Sequence, residues 1–116
     1  MTACTQAASG RIERVRRLND VLRRYHLGGQ VVVSAGVHAL GSDVVARIAA
    51  AVARFDAFTP DNDPYGEHDF GSVCVEGHTV LFKIEYLDTS LRHHSPDPAD
   101  PNVTHRVMIL MPAEEY

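Results

Sequence analysis

The sequence predicts a two-layer α+β domain, because helical periodicity dominates its first half and strand alternation its second. Apolar residues recur at helical spacing over residues 11–27 and again over residues 43–55. From residue 70 onward the period changes to two, and a glycine turn separates two alternating runs. A chain of 116 residues has room for one core, so we predict a single domain over residues 1–116, with residues 1–9 as a flexible tail.

The first half is predicted to contain two helices with one strand between them. The apolar face of the first helix is expected to comprise Ile12, Val15, Leu18, Leu22 and Tyr25, with arginines on the opposite face. The β-branched run QVVVSAGV, residues 30–37, indicates a short buried strand. Ser42 is expected to be the N-cap of the second helix, since its hydroxyl can accept a bond from a first-turn amide.

The second half is predicted to contain three strands. The turn Glu76-Gly77-His78 joins the strands of a hairpin, in which Val80, Phe82, Ile84 and Tyr86 face the core. Residues 90–102 carry three prolines and no periodicity, so they are expected to form a loop. Residues 107–111 are apolar on both faces, as in a central strand. We therefore predict the order α-β-α-β-β-β, with an antiparallel meander of the last three strands and both helices packed on one face.

Charge is distributed unevenly along the chain. Eight arginines and three acidic residues precede Phe55, a net charge of +5, whereas three basic and twelve acidic residues follow, a net charge of −9. Such asymmetry bears on the choice of partner and not on the fold. The longest apolar run is too short to cross a bilayer, and the N-terminus has no signal-peptide pattern, so we expect a cytoplasmic protein that does not bind membranes.

Residues 58–70, FTPDNDPYGEHDF, concentrate carboxylates in a segment with neither helical nor strand periodicity. Their spacing superficially follows a calcium-binding loop that starts at Asp61. The match fails because Tyr65 stands at the fifth position and Ser72 at the twelfth, where a bidentate carboxylate is required. We therefore predict neither a metal site nor a cofactor.

Two other interpretations of this loop remain open. Its Asp, Asn, Pro and Gly residues are typical of a loop that bonds to itself, with Phe58, Tyr65 and Phe70 pinning it to the core. Alternatively, Glu67 and Asp69 could serve as the acid and base of a small hydrolase. No nucleophile elbow, phosphate loop or zinc-protease motif accompanies this pair, so we do not predict an enzyme.

Three stretches resemble the DUF3768 family of small proteobacterial proteins: FDAFTPDNDPYGEHDFG (residues 55–71), FKIEYLD (82–88) and DPADPNVTHRVMIL (97–110). The resemblance covers about residues 31–116. That family is of unknown function, so the resemblance implies no catalytic residues. The frequency of the family on plasmids and mobile elements implies a role in interference with host defences that target DNA, such as CRISPR or restriction systems.

These observations predict an anti-CRISPR-like or anti-restriction inhibitor that mimics DNA and competes for a basic nucleic-acid-binding surface on another protein. The predicted contact residues are Asp56, Asp61, Asp63, Glu67, Asp69, Asp88, Asp97 and Asp100. A nucleic-acid-binding accessory protein is the alternative, with Arg11, Arg14, Arg17 and Arg24 on the phosphates. Direct nucleic-acid binding is the less favoured interpretation, because the acidic half repels DNA. The chain is expected to be a monomer or a homodimer.

Overall fold

The computed structural model describes the backbone of residues 3–116 and the side chains from Gly10 onward. The elements in chain order are helix α1 (Ala3–Tyr25), strand β1 (Gln30–Val33), helix α2 (Ala35–His38), helix α3 (Ser42–Arg54), and strands β2 (Phe70–Val75), β3 (His78–Leu87) and β4 (His105–Pro112). A 3-10 turn, Ala113–Glu115, follows β4. The predicted α+β class is confirmed. The single domain and the flexible tail predicted for residues 1–9 stay predictions, since residues 1–2 and the side chains of residues 3–9 lie outside the described part of the chain.

One mixed sheet of four strands has the order β1-β4-β3-β2. Strands β2, β3 and β4 are antiparallel neighbours, so the predicted meander of the last three strands is confirmed. The turn of its hairpin, Glu76 and Gly77, has φ values of 49° and 81°, the left-handed pair of a tight hairpin turn. Strand β1 lies at the edge beside β4 and runs parallel to it, with Val32 opposite Ile109.

Two local predictions about the first half are wrong. The strand predicted over residues 30–37 ends at Val33, because Ser34 caps a short helix by accepting a hydrogen bond from the amide of Val37 at 3.4 Å. Ser42 is not an N-cap but the first residue of α3. Gly41 precedes it with a φ of 97°, a conformation that glycine adopts readily.

The core lies between the helices and one face of the sheet. On that face, Val80, Phe82, Ile84 and Tyr86 of β3 are buried, as predicted, beside Met108 and Leu110 of β4. The helices contribute the buried apolar side chains Val15, Leu22, Val37, Ile48 and Val52 to the same cluster. Helices α1, α2 and α3 therefore pack against one face of the sheet.

The buried face of α1 differs from the predicted one. Ile12 and Tyr25 are exposed, whereas Asn19 and Arg23 are fully buried together with Val15. The expectation that the arginines all lie on the opposite face is therefore wrong for Arg23. No helix among the described residues combines the length and the apolar character needed to span a membrane.

Candidate functional site

The turn that opens the loop of residues 58–69 is bonded to itself. The Thr59 amide donates to Oδ1 of Asn62 at 2.8 Å, and Nδ2 of Asn62 donates to the carbonyl oxygen of Ala57 at 3.0 Å. The amide of Asp63 donates to the carbonyl oxygen of Thr59 at 2.8 Å. These bonds satisfy backbone groups that would otherwise need water, and they hold residues 57–63 in one conformation.

Asp63 holds the second half of the loop from the inside. Its side chain is 8% exposed, and Oδ1 accepts hydrogen bonds from the amides of Glu67 at 3.0 Å and His68 at 3.2 Å. A carboxylate that accepts two amide bonds inside the protein is occupied by them. Asp63 was predicted as a partner contact, but its oxygens point into the loop and not toward another molecule.

His68 and Arg16 attach this loop to α1. The His68 backbone adopts a φ of 57°, and its ring stacks on Phe58 with centroids 3.8 Å apart. Nδ1 of His68 lies 3.0 Å from Oδ1 of Asp20 in α1. Nε of Arg16, also in α1, donates to the carbonyl oxygen of Gly66 at 2.9 Å. The loop is therefore braced against a helix as well as by its own turns.

Arg23 links α1 to the end of α3. Its Nη1 donates to the carbonyl oxygens of Val52 at 2.9 Å and Phe55 at 2.8 Å, at the C-terminal end of α3. Its Nη2 donates to Oδ1 of Asp20 at 2.8 Å. Burial alone would raise the pKa of Asp20, but the bonds to Arg23 and His68 outweigh it and lower that pKa. This charged group is structural, since its members bind one another and backbone oxygens.

A second buried polar network lies beneath Glu67. The hydroxyl of Tyr86 donates to Oε1 of Glu67 at 2.7 Å and accepts from Nδ2 of Asn19 at 2.7 Å. Nε of Arg106 donates to Oδ1 of Asn19 at 2.7 Å, and Nη2 of Arg106 bonds the carbonyl oxygen of Pro98. Burial, followed by the bond to Glu67, raises the pKa of Tyr86, while burial lowers the pKa of Arg106. Oε1 of Glu67 is thus committed to this network.

Glu67 and Asp69 line two different surface depressions. Glu67 borders a cleft of about 250 Å³ beside Val15 and Pro98. Asp69 borders a separate depression beside Arg92 and residues of β3. Burial, followed by the nearby charge of Glu67, raises the pKa of Asp69. The two carboxylates interact electrostatically but do not face a common space in which one substrate could meet both.

The acidic residues of the later loop also bind within the chain. Asp88 accepts from the hydroxyl of Ser90 at 2.7 Å, and this bond lowers its pKa. Asp97 accepts from Arg11 at 2.7 Å, which likewise lowers its pKa, and Asp100 accepts from the amide of Asn102 at 2.9 Å. Five of the eight predicted contact carboxylates therefore have internal partners: Asp63, Glu67, Asp88, Asp97 and Asp100.

Asp56, just before the loop, and Asp61 and Tyr65 within it are exposed side chains that can reach a partner. Both aspartates are exposed and have no hydrogen-bond donor among the residues that the structure describes. Tyr65 was expected to pin the loop to the core, yet its side chain is 74% exposed. It lies between Pro64 and Gly66, whose φ is 70°. We call these three residues the loop tip.

Some of the arginines predicted to contact phosphates from α1 are free of internal partners in the described part of the chain, and one is not. Arg14, Arg17 and Arg24 are exposed and form no ion pair within the described part of the chain. Arg11 differs, because its guanidinium lies 2.7 Å from Oδ1 of Asp97. Across residues 10–116, no three His, Cys, Asp or Glu side chains are close enough together to hold a metal ion.

Sequence reasoning missed Asn19, Arg23 and Arg106 as internal residues. The available signal was spacing: Val15, Asn19, Leu22 and Arg23 are four, three and one positions apart, which places them on one side of a helix. Polar side chains are mostly exposed in folded proteins, and this tendency conceals the spacing signal. For Arg106 the signal was its position two residues before Met108 on a strand, which puts both on the same face.

The fold and the site define a small two-layer α+β domain with an internally braced loop. The chain belongs to the family DUF3768, described as a protein of unknown function, whose model matches residues 33–115. The resemblance found from the sequence is confirmed. No curated protein and no solved structure matches the chain. Helix α1 lies outside the matched range, although it supplies Val15, Asn19, Leu22 and Arg23 to the buried interior.

Proposed function

We propose that this protein is a non-enzymatic inhibitor that binds a component of a bacterial CRISPR or restriction complex through its loop tip. The observation that carries the proposal is the exposed Tyr65 on a loop held by internal bonds. Tyrosine is enriched at the centres of protein interfaces, because it buries a large area with few rotatable bonds. A loop that is already ordered also loses little conformational entropy on binding.

The charges of the loop tip specify the kind of partner. Asp56 and Asp61 flank the turn with no internal donor among the described residues, so both are available to cationic groups on another molecule. DNA-binding complexes present rows of Lys and Arg for phosphates, and carboxylates can occupy part of such a row. The contact we propose is smaller than the eight-residue surface predicted from the sequence, since Asp63 and Glu67 bind internally.

The choice of a defence complex as the target rests on the family resemblance. Proteins carried by mobile elements benefit when host systems that cut incoming DNA are blocked. A DNA-competitive inhibitor needs no active site, which agrees with the separation of Glu67 and Asp69 into two depressions. The hydrolase alternative has no comparable observation in its favour.

Nucleic-acid binding through α1 is a second candidate, favoured by one observation. Arg14, Arg17 and Arg24 are exposed. At about 100° per residue, Arg17 and Arg24 lie about 60° and 80° from Arg14 around the helix axis, so all three are on one side of the helix. Arg14 and Arg24 are about 15 Å apart along the axis, at a rise of about 1.5 Å per residue. Such a row fits contacts with successive phosphates.

A plasmid-interference assay tests the first proposal. The chain is expressed in bacteria with an active CRISPR or restriction system, and the efficiency of transformation by a targeted plasmid is measured. We expect wild type to raise the efficiency, and Tyr65→Ala or Asp61→Lys to remove most of the effect. Tyr25→Ala is the matched control, since Tyr25 is an exposed tyrosine on α1. Equal protection by Tyr65→Ala and wild type would exclude the loop tip as the contact.

A mobility-shift assay with a short labelled duplex separates the two candidates. The inhibitor proposal expects no shift by the chain alone. The second candidate expects a shift that weakens steeply with salt and is lost when Arg14 and Arg17 are changed to Ala. Arg47→Ala serves as the control, because Arg47 is paired with Glu76 away from α1.

A further inference from the structure

The sheet has a second face that carries apolar side chains. We call it the open face; its residues alternate with those of the core. Its apolar members are Val32, Phe70, Leu81, Leu87, Val107, Ile109 and Met111. The buried apolar side chains of the helices all belong to the cluster on the opposite face. Among the described residues, Tyr116 reaches the open face, with its ring 5.6 Å from that of Phe70.

The composition of this face does not match exposure to water. A sheet with one solvated face shows polar residues at alternate positions, whereas strands that are apolar on both faces are typical of sheets covered on both sides. In β4 the outward positions after His105 are Val107, Ile109 and Met111, and of these Val107 is already buried within the single chain. Val32 of β1, which lies opposite Ile109 of β4, is 38% exposed. The sequence of β4 therefore indicates a second layer over its part of this face, whereas β2 and β3 also carry polar residues there.

We infer that a second copy of this chain supplies that layer, with the two open faces packed as in a sheet sandwich. Strands of four, six, ten and eight residues, at about 3.3 Å per residue and about 4.8 Å between strands, give a face of roughly 450 Å² in projection. Two such faces come to about 900 Å² in projection, close to the roughly 1,000 Å² expected of a specific interface. The available area is therefore that of a small interface.

Charge on the open face favours a copy of itself as the partner. Nζ of Lys83 lies 3.2 Å from Oε1 of Glu85, so the centre of the face is neutral and two copies do not repel each other. In a twofold dimer, Lys83 of each copy can meet Glu85 of the other, because the same patch is present on both sides. A strongly basic or acidic partner would gain nothing from this neutral centre. The face is thus self-complementary.

This surface is separate from the loop tip. The loop of residues 58–69 is attached to α1 through Asp20 and Arg16, on the helical side of the sheet. Dimerisation through the open face would leave the loop tip accessible in both copies. A failure of the dimer and a failure of the inhibitor proposal are consequently distinguishable, since different substitutions affect each.

Sedimentation equilibrium of the full chain over a wide concentration range tests the inference. We expect a species of twice the 12.8 kDa chain mass, and a monomer for Ile109→Lys, which places a charge at the centre of the face. Leu27→Lys is the matched control, since Leu27 is exposed outside the sheet. A wild-type chain that stays monomeric at high concentration overturns the inference. So does a dimer that Ile109→Lys leaves intact while its circular dichroism is unchanged.

A charge exchange gives a second test that does not depend on loss of folding. Lys83→Glu makes the centre acidic and Glu85→Lys makes it basic, so each variant alone should dimerise about a hundredfold more weakly than wild type. An equimolar mixture of the two should form heterodimers with near wild-type affinity, because their centres are complementary. Failure of the mixture to associate, when wild type dimerises, places the interface on another surface and overturns the inference.

Discussion

The substitution Asp63→Ala should destabilise the protein by an amount that follows from two hydrogen bonds. The carboxylate accepts the amides of Glu67 at 3.0 Å and His68 at 3.2 Å, and the site is 8% exposed. A bond to a charged group contributes about 1.5 kcal/mol at the low end of its range, so losing both costs about 3 kcal/mol. For a domain of this size, that corresponds to a fall in Tm of about 12 °C.

Urea unfolding followed by circular dichroism measures this effect, with two companion variants. Asp63→Asn keeps an acceptor oxygen without its charge and should cost about 1 kcal/mol. Asp61→Ala removes an exposed carboxylate two residues away and should change stability by less than about 0.5 kcal/mol. Equal stability of the Asp63→Ala and Asp61→Ala proteins would refute the assignment of Asp63 as an internal brace.

Three further predictions concern the buried polar groups. Asn19→Ala leaves Nε of Arg106 without its partner and should cost about 3 kcal/mol in thermal or urea unfolding. Because the folded-state pKa of Tyr86 is raised above its ordinary 10.0, its contribution to stability is present below pH 10 and lost as pH rises above it. Absorbance at 295 nm should therefore show that Tyr86 ionises only when the chain unfolds. The free energy of unfolding of the Tyr86→Phe variant should fall less steeply with rising pH than that of wild type. Because the pKa of Asp20 is lowered in the folded state, its contribution is present above pH 3.8 and lost below it. The stability difference between wild type and Asp20→Asn should accordingly shrink as pH falls below 3.8, and a difference that is constant with pH would contradict the pairing with Arg23 and His68.

The antiparallel part of the sheet was predictable because its signals are local. Alternation over residues 80–87 assigns one face to the core, and the Glu76-Gly77 turn fixes the register of the hairpin. The place of β1 was not predictable in this way, since four β-branched or polar residues can pair with either edge of the meander. Helix α2 was missed because one helical turn has no periodicity to detect.

The site was predictable in its residue types but not in the direction of its side chains. Asp61 and Asp63 are two residues apart in the same loop, yet one is exposed and the other buried. Which carboxylate turns inward depends on the left-handed conformation of His68 and on its contact with Asp20 of α1. A local pattern contains no information on a helix that lies far away in sequence. For the same reason, the residues that neighbour Tyr65 in the sequence do not predict whether its side chain is exposed.

Competition between the chain and DNA for a purified defence complex tests the central claim most directly. The complex is the CRISPR or restriction component that the plasmid-interference assay identifies, and displacement of a labelled duplex is followed by fluorescence anisotropy. We predict that wild type displaces the duplex and that Tyr65→Ala does so about thirtyfold less effectively, as for truncation of an aromatic hot spot. Binding of the chain without displacement of DNA, or equal displacement by Tyr65→Ala, would contradict the account.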